Sequence, residues 1–305
     1  YAGCPHFRRC FIERAARAPE HADLVIANHA LVMLLAARGR ETGGAPSRLV
    51  FDEGHHLFDA ADSTFGAALT GREAIELRRW IIGPEAERKG RRRGLAARLS
   101  DVASYDSDGA EAIDDAREAA RTLPGEDWLR RVVERGPNGS IEALLSAVRD
   151  TVYARAERDG KDTDPGYGLE VDLSEPDGAL IDAATDAARA LEALLTPLQR
   201  LAKRLVAVIE LAPDWLDGPA RARIDGAISA LGWRCGLVRS WIALLLGIGT
   251  APDEQFVDWL GVDRVEGREY DIGLHRHWLD PTRPLAEVVL KPAHGVLVTS
   301  ATLRA

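Results

Sequence analysis

The chain has 305 residues, an apolar fraction of 46% and a formal net charge of −9. That length leaves room for one large domain or two smaller ones around a sizeable core. The absence of any unbroken 18-residue apolar run favours a soluble globular protein over a membrane-spanning one, and the acidic balance argues against a wholly basic nucleic-acid binder while allowing a local positive channel.

Three cysteines, Cys4, Cys10 and Cys235, are too few for a disulfide scaffold and fit a reducing compartment. No secretory signal is visible. The sequence starts at Tyr1 rather than Met and ends at Ala305 just after a strand pattern, so it reads as a piece of a longer protein.

Residues 1–18 set Cys4 and Cys10 among basic and aromatic residues, CPHFRRCFIERAAR. Arg8, Arg9 and Arg14, beside Phe7 and Phe11, suit contact with a single-stranded nucleic acid, which is gripped by cations and stacking aromatics together. Asp23 to Ala27, DLVIA, reads as a buried strand, and Leu31 to Ala37 as a helix following Asn28 and His29. A Gly/Pro-containing loop, Thr42 to Ser47, then leads to a second buried strand, Leu49 to Phe51. Two short apolar strands with a helix between them predict a βαβ unit of an α/β sheet.

The second strand delivers Asp52, Glu53 and His55 where it must end, which in open α/β sheets is where ligands bind. Two adjacent carboxylates there suit a divalent metal and an activated water, the parts that phosphoryl transfer needs. The plainer reading is an acidic cap on the helix that follows.

After Asp59 the strand signals vanish and Ala, Leu, Arg and Glu dominate, which predicts an all-helical domain. Ile224, Ile228, Leu231, Cys235, Val238, Ile242 and Leu245 form one continuous helical stripe, in which Cys235 acts as a small hydrophobe. Leu191, Leu194, Leu198, Leu201, Leu205 and Val208 form another, with a kink expected near Pro197. Joined around Pro213 to Pro219, the two helices are expected to pack antiparallel. The cationic run Arg88-Lys89-Gly90-Arg91-Arg92-Arg93 reads either as a phosphate attractor or as a solvated loop.

Strand character returns at Gln255 to Leu260 and Arg268 to Leu274, a candidate hairpin, and at Gly295 to Thr299, a third buried-strand pattern. The last ends in Thr299-Ser300-Ala301-Thr302-Leu303, hydroxyl residues that are in isolation a plain N-cap. The predicted fold class is α/β, a sheet interrupted by a large all-helical insertion and resumed at the C-terminus.

Asp52-Glu53-Gly54-His55 and Thr299 to Leu303, in that order and each at a strand end, resemble motifs II (the Walker B or DEAH box) and III of superfamily 2 helicases. Gly54 replaces the usual Ala, which removes only a methyl group. With DLVIANHALVMLL and two cysteines ahead of the box and a helical stretch after it, the order of parts resembles the XPD/DinG family of iron–sulfur DNA helicases.

That resemblance implies a RecA-like motor domain, in part, at 19–62 and 275–305, an arch-like insertion at 63–274, and the end of an iron–sulfur cluster region at 1–18. It implies that Asp52 holds Mg²⁺ through water and that Glu53 activates the attacking water. His55, Ser300 and Thr302 would couple the nucleotide state to DNA, while Cys4 and Cys10 would supply two of the four ligands of a 4Fe–4S cluster. A pair of free thiols is the alternative for the cysteines, and His29 reads equally as a family fingerprint or as a helix start.

The implied cofactors are ATP, Mg²⁺ and the cluster, of which the piece itself need hold none. The implied partner is single-stranded or forked DNA, with no membrane, a monomeric protein, a bacterial cytoplasmic and nucleoid location, 5′ to 3′ movement and a role in repair. No P-loop occurs in the chain and the arginine motifs of a second motor domain are absent, so the piece alone is expected not to hydrolyse ATP. Two rival readings are a non-catalytic helical module that binds protein or DNA, and a metal hydrolase assembled from His55, His56, His275 and His277.

Overall fold

The computed structural model describes residues 10, 11, 14, 15, 18–42, 47–84, 94–158, 168–251 and 253–301. In chain order its main elements are α1 (His29–Thr42), β1 (Arg48–Phe51), α2 (Leu57–Phe65), β2 (Ala67–Thr70), α3 (Gly71–Ile81), α4 (Ser107–Ala119) and α5 (Ser140–Arg158). There follow β3 (Leu169–Asp172), α6 (Gly178–Leu211), α7 (Gly218–Leu246), β4 (Phe256–Val265), β5 (Arg268–Trp278) and β6 (Gly295–Val298). By contact, one unit is built from the described residues of Ala68–Ala251 and Asp258–His275, and the other from those of Arg8–Ala67, Pro252–Val257 and Arg276–Ala305.

The second of these units carries the acidic turn. Asn28 caps α1, its Oδ1 accepting the Leu31 amide at 2.8 Å, so the helix starts where the sequence places a capping residue. Met33 and Ala36 of α1, and Leu57 and Ala61 of α2, pack on Leu49 and Phe51 of β1 together with Leu285 and Val289. β1 runs parallel to β6, with Leu49 opposite Val296 and Phe51 opposite Val298. A parallel pair requires a crossover, and here the crossover is the whole chain between Phe51 and Gly295.

Two expectations are corrected in this unit. Residues 23–27 form no strand: Leu24 and Ile26 are 79% and 93% exposed, and the strand beside β1 is β6. An apolar run becomes a strand only where another backbone pairs with it, and no described segment pairs with this one. Nor is the β1–β6 pair buried on both faces, because Val50 and Leu297 lie 71% and 57% exposed on the side opposite the helices.

In the helical unit, capping residues set the element starts. Thr70 accepts the Glu73 amide, Asp106 that of Gly109, Asp177 that of Leu180 and Asp217 that of Ala220. Both sequence stripes enter one core. All six named residues of α6 are at most 1% exposed, and all those of α7 are buried except Ile228, which is half-buried. Pro197 sits inside α6 without ending it.

The middle of the chain is nevertheless not all helical. β2 and β3 join the β4–β5 hairpin in a four-stranded sheet of order β2-β5-β4-β3, with Leu169 opposite Val262 and Asp172 opposite Trp259. Each added strand has four residues, too short for alternation to show against a helical background, and each exists because the hairpin offers it an edge. The hairpin turns through Glu266 and Gly267, with φ of 50° and 76°, the left-handed pair that a two-residue type I′ turn requires. Trp241 of α7 is fully buried and donates its indole N–H to the Ala68 carbonyl of β2 at 2.5 Å. Among the described residues, no helix is long and apolar enough to cross a membrane.

Candidate functional site

Parallel pairing puts the C-terminal ends of β1 and β6 side by side, and the two sequence motifs leave from those ends. The Thr299 amide donates to the Phe51 carbonyl and the Gly54 amide donates to the Thr299 carbonyl, both at 2.8 Å. The Thr299 hydroxyl donates to Asp52 Oδ1 at 2.9 Å. One residue after β6 thus holds both the backbone and the first carboxylate of the acidic turn.

Glu53 follows in the left-handed region, φ 50° and ψ 53°, a conformation costly for a residue with a Cβ. The turn closes with the His56 amide on the Glu53 carbonyl at 3.0 Å. His55 shares a hydrogen bond with the Ser300 hydroxyl at 3.0 Å, and the same Nδ1 lies 3.3 Å from Glu53 Oε2. His29, at the start of α1, reaches the other side of the turn: its Nε2 lies 2.8 Å from the Asp52 carbonyl, with its ring edge-on to Phe51.

The structure therefore brings Asp52, Glu53, His55 and Ser300 together in one unit. Thr302, Cys4, Arg8 and Arg9 lie outside the described residues, as does the run Arg88 to Arg93. Arg14 is exposed and Cys10 half-buried, and the Arg14 amide donates to the Cys10 carbonyl at 3.0 Å. Thr299 and the bonding role of His29 were missed from sequence. Thr299 stood inside the recognised TSATL segment, whereas nothing in the sequence indicates which carbonyl His29 reaches.

The histidines of the rival metal reading have other partners. His277 bonds Asp62 at 2.7 Å, His275 stacks on Trp259, and His56 lies against His55. Among the described residues, no group of three or more His, Cys, Asp or Glu side chains could hold a metal ion.

A magnesium ion asks less of the protein, usually one or two carboxylates with waters and substrate phosphates completing the shell. Asp52 fits that share. It is exposed at the strand end, with its Oδ1 accepting from the Thr299 hydroxyl. Of the two candidate cluster cysteines only Cys10 lies among the described residues, a half-buried thiol in no disulfide; a cluster needs four such ligands.

Comparison with known proteins finds the similarity among ATP-dependent helicases. The chain is 35% identical over 78 residues to the ATP-dependent DNA helicase YoaA of Haemophilus influenzae, covering 24% of this chain and 12% of that protein. It is 33% identical to YoaA of Escherichia coli over the same length and shares. It is 41% identical over 69 residues to the ATP-dependent helicase DinG of Mycobacterium tuberculosis, covering 23% of this chain and 10% of that one. The matched stretch thus spans about an eighth or less of these relatives. No protein-family model matches the chain.

Proposed function

We propose that the chain is part of an ATP-dependent DNA helicase of the XPD/DinG kind. The observation that carries the reading is the joining of the two motifs, Thr299 to Asp52 and Ser300 to His55, at neighbouring strand ends. Local similarity to YoaA and DinG supports it.

In this reading the unit with β1 and β6 is part of a RecA-like motor domain, and the helical unit is an arch-like insertion. Magnesium, when bound with ATP, neutralises charge on the phosphate oxygens. Asp52 would hold the ion through a water molecule. Glu53 accepts a proton from the attacking water and orients it, which calls for a carboxylate held in one place. His55 touches both Glu53 and Ser300, so it links the carboxylate to the segment after β6. Through that segment, with Thr302, the nucleotide state is passed to the bound strand.

Arg8, Arg9 and Arg14 contact single-stranded or forked DNA, and Cys4 and Cys10 are two of the cluster's four ligands. The protein works as a monomer in a bacterial cytoplasm, moving 5′ to 3′ in DNA repair. The 305 residues contain no P-loop, so the chain by itself holds the magnesium and water half of the site and does not hydrolyse ATP.

The test is ATP hydrolysis with and without single-stranded DNA. The complete protein is expected to show DNA-stimulated turnover that Glu53→Gln abolishes, and the pure 305-residue chain none. Turnover by the pure chain, or turnover in the complete protein that is indifferent to Glu53, would overturn the reading.

A further inference from the structure

His29 is the residue whose role the sequence leaves open between a fingerprint and a helix start. The N-cap of α1 is already supplied by the Asn28 side chain, so starting the helix does not require the imidazole. The imidazole instead meets the Asp52 carbonyl, 2.8 Å from Nε2. A carbonyl only accepts, so Nε2 carries the proton. Phe51, edge-on to the ring at 5.8 Å, backs it from the strand.

The position of this bond in the turn gives it its consequence. The Asp52 carbonyl belongs to the peptide plane that enters Glu53, and the orientation of that plane helps set the φ of Glu53. The plane that leaves Glu53 is held by the residue after β6, the Gly54 amide donating to the Thr299 carbonyl. Glu53 is thus suspended, in its left-handed conformation at φ 50°, between one peptide pinned by α1 and one pinned by Thr299. Strained backbone persists only where its surroundings over-determine it.

We propose that His29 is a positioning residue: its Nε2–H fixes the Asp52–Glu53 peptide and thereby aims the Glu53 carboxylate. It touches neither substrate nor metal. As a statement about phosphoryl transfer the proposal rests on the motor reading above; as a statement about the turn it does not.

Amide hydrogen exchange in the 305-residue chain tests the turn. His29→Ala is expected to speed exchange at Gly54 about five- to tenfold, the effect of one lost hydrogen bond, with Met33 of α1 unchanged. His29→Gln, which offers an N–H at a similar reach, is expected to restore protection. An unchanged Gly54, or Met33 accelerating alongside it, would overturn the proposal in favour of a helix-start role.

In the complete protein, His29→Ala is expected to lower kcat for ATP with KM unchanged. An unchanged kcat in a motor that does depend on Glu53 would overturn the positioning role. Loosening at Gly54 together with a Glu53→Gln variant of full activity would keep His29 as the holder of the turn and discard the motor reading.

Discussion

The Thr299 hydroxyl lies 2.9 Å from Oδ1 of Asp52, two residues 247 positions apart in the chain. The contact exists because β1 and β6 are parallel neighbours in register, so that each is one step past the paired ends Phe51 and Val298. It fixes one carboxylate oxygen of Asp52 against the residue that follows β6.

Thr299→Val keeps the shape and removes the donor. A hydrogen bond to a charged group contributes about 1.5–3 kcal/mol, so on the proposed motor reading kcat of the complete protein is expected to fall roughly 10- to 100-fold. Thr299→Ser is expected to retain most of it. Steady-state ATPase assays over a magnesium titration check both.

Glu53 is a residue with a Cβ held at φ 50°. Glu53→Gly removes that strain and is expected to stabilise its unit by about 1 kcal/mol, seen as a higher urea midpoint at unchanged slope. Glu53→Gln keeps the strain and is expected to leave the midpoint where it is. On the proposed motor reading both are expected to abolish hydrolysis by the complete protein, so stability and activity would part company at this position.

Gly71 opens α3 against the ring of Trp128, and a Cβ there would lie 2.1 Å from Cη2. Gly71→Ala is expected to destabilise the helical unit by about 1–3 kcal/mol through overpacking. Gly178, at the start of α6, has nothing within 4 Å of an added Cβ. Gly178→Ala is expected to be neutral or slightly stabilising. Thermal melts of the two variants side by side separate crowding from general glycine replacement.

Burial, and then the neighbouring charge of Asp271, push the Glu73 carboxyl up from 4.5 to about 7. Asp271 is itself raised by burial, against hydrogen bonds from Thr70 and from the amides of Arg72 and Ile272. Above the unfolded pKa, the folded state therefore binds the Glu73 proton more tightly than the unfolded chain does. Its contribution is complete below about pH 4.5 and is lost as pH rises through about 7. By surface area Glu73 is nonetheless an exposed residue at the start of α3, so solvent screens the effect and only the direction of the pH dependence is expected to survive. Glu73→Gln is expected to flatten the fall in stability between those pH values, as measured by denaturation midpoints across the range.

The legible parts of this chain were those whose signal is local. The stripes of α6 and α7 follow from three- and four-residue spacing, and the six stripe residues Leu191, Leu194, Leu198, Leu201, Leu205 and Val208 are buried as that spacing implies. Asn28, which the sequence sets just ahead of the first helix, caps it. By contrast, Leu24 to Ile26 has the composition of a buried strand and is exposed coil, while Ala67–Thr70 and Leu169–Asp172 look unremarkable and are strands. Strand formation is decided by whether a partner edge is present, and four residues carry too little pattern to announce one.

The same division runs through the acidic turn. Sequence alone determined that Asp52, Glu53 and His55 leave a short apolar strand and that Ser300 leaves another. It also supplied the resemblance that gives those residues a chemistry. Only the tertiary structure decided that the two strands are parallel neighbours, that Thr299 grips Asp52, that Glu53 sits in a left-handed conformation, and that His29 holds the peptide entering it. The reason is range. Spacing along a chain encodes contacts one turn or one pleat away, whereas these bonds join residues 23 to 247 positions apart and exist only once a parallel crossover has closed.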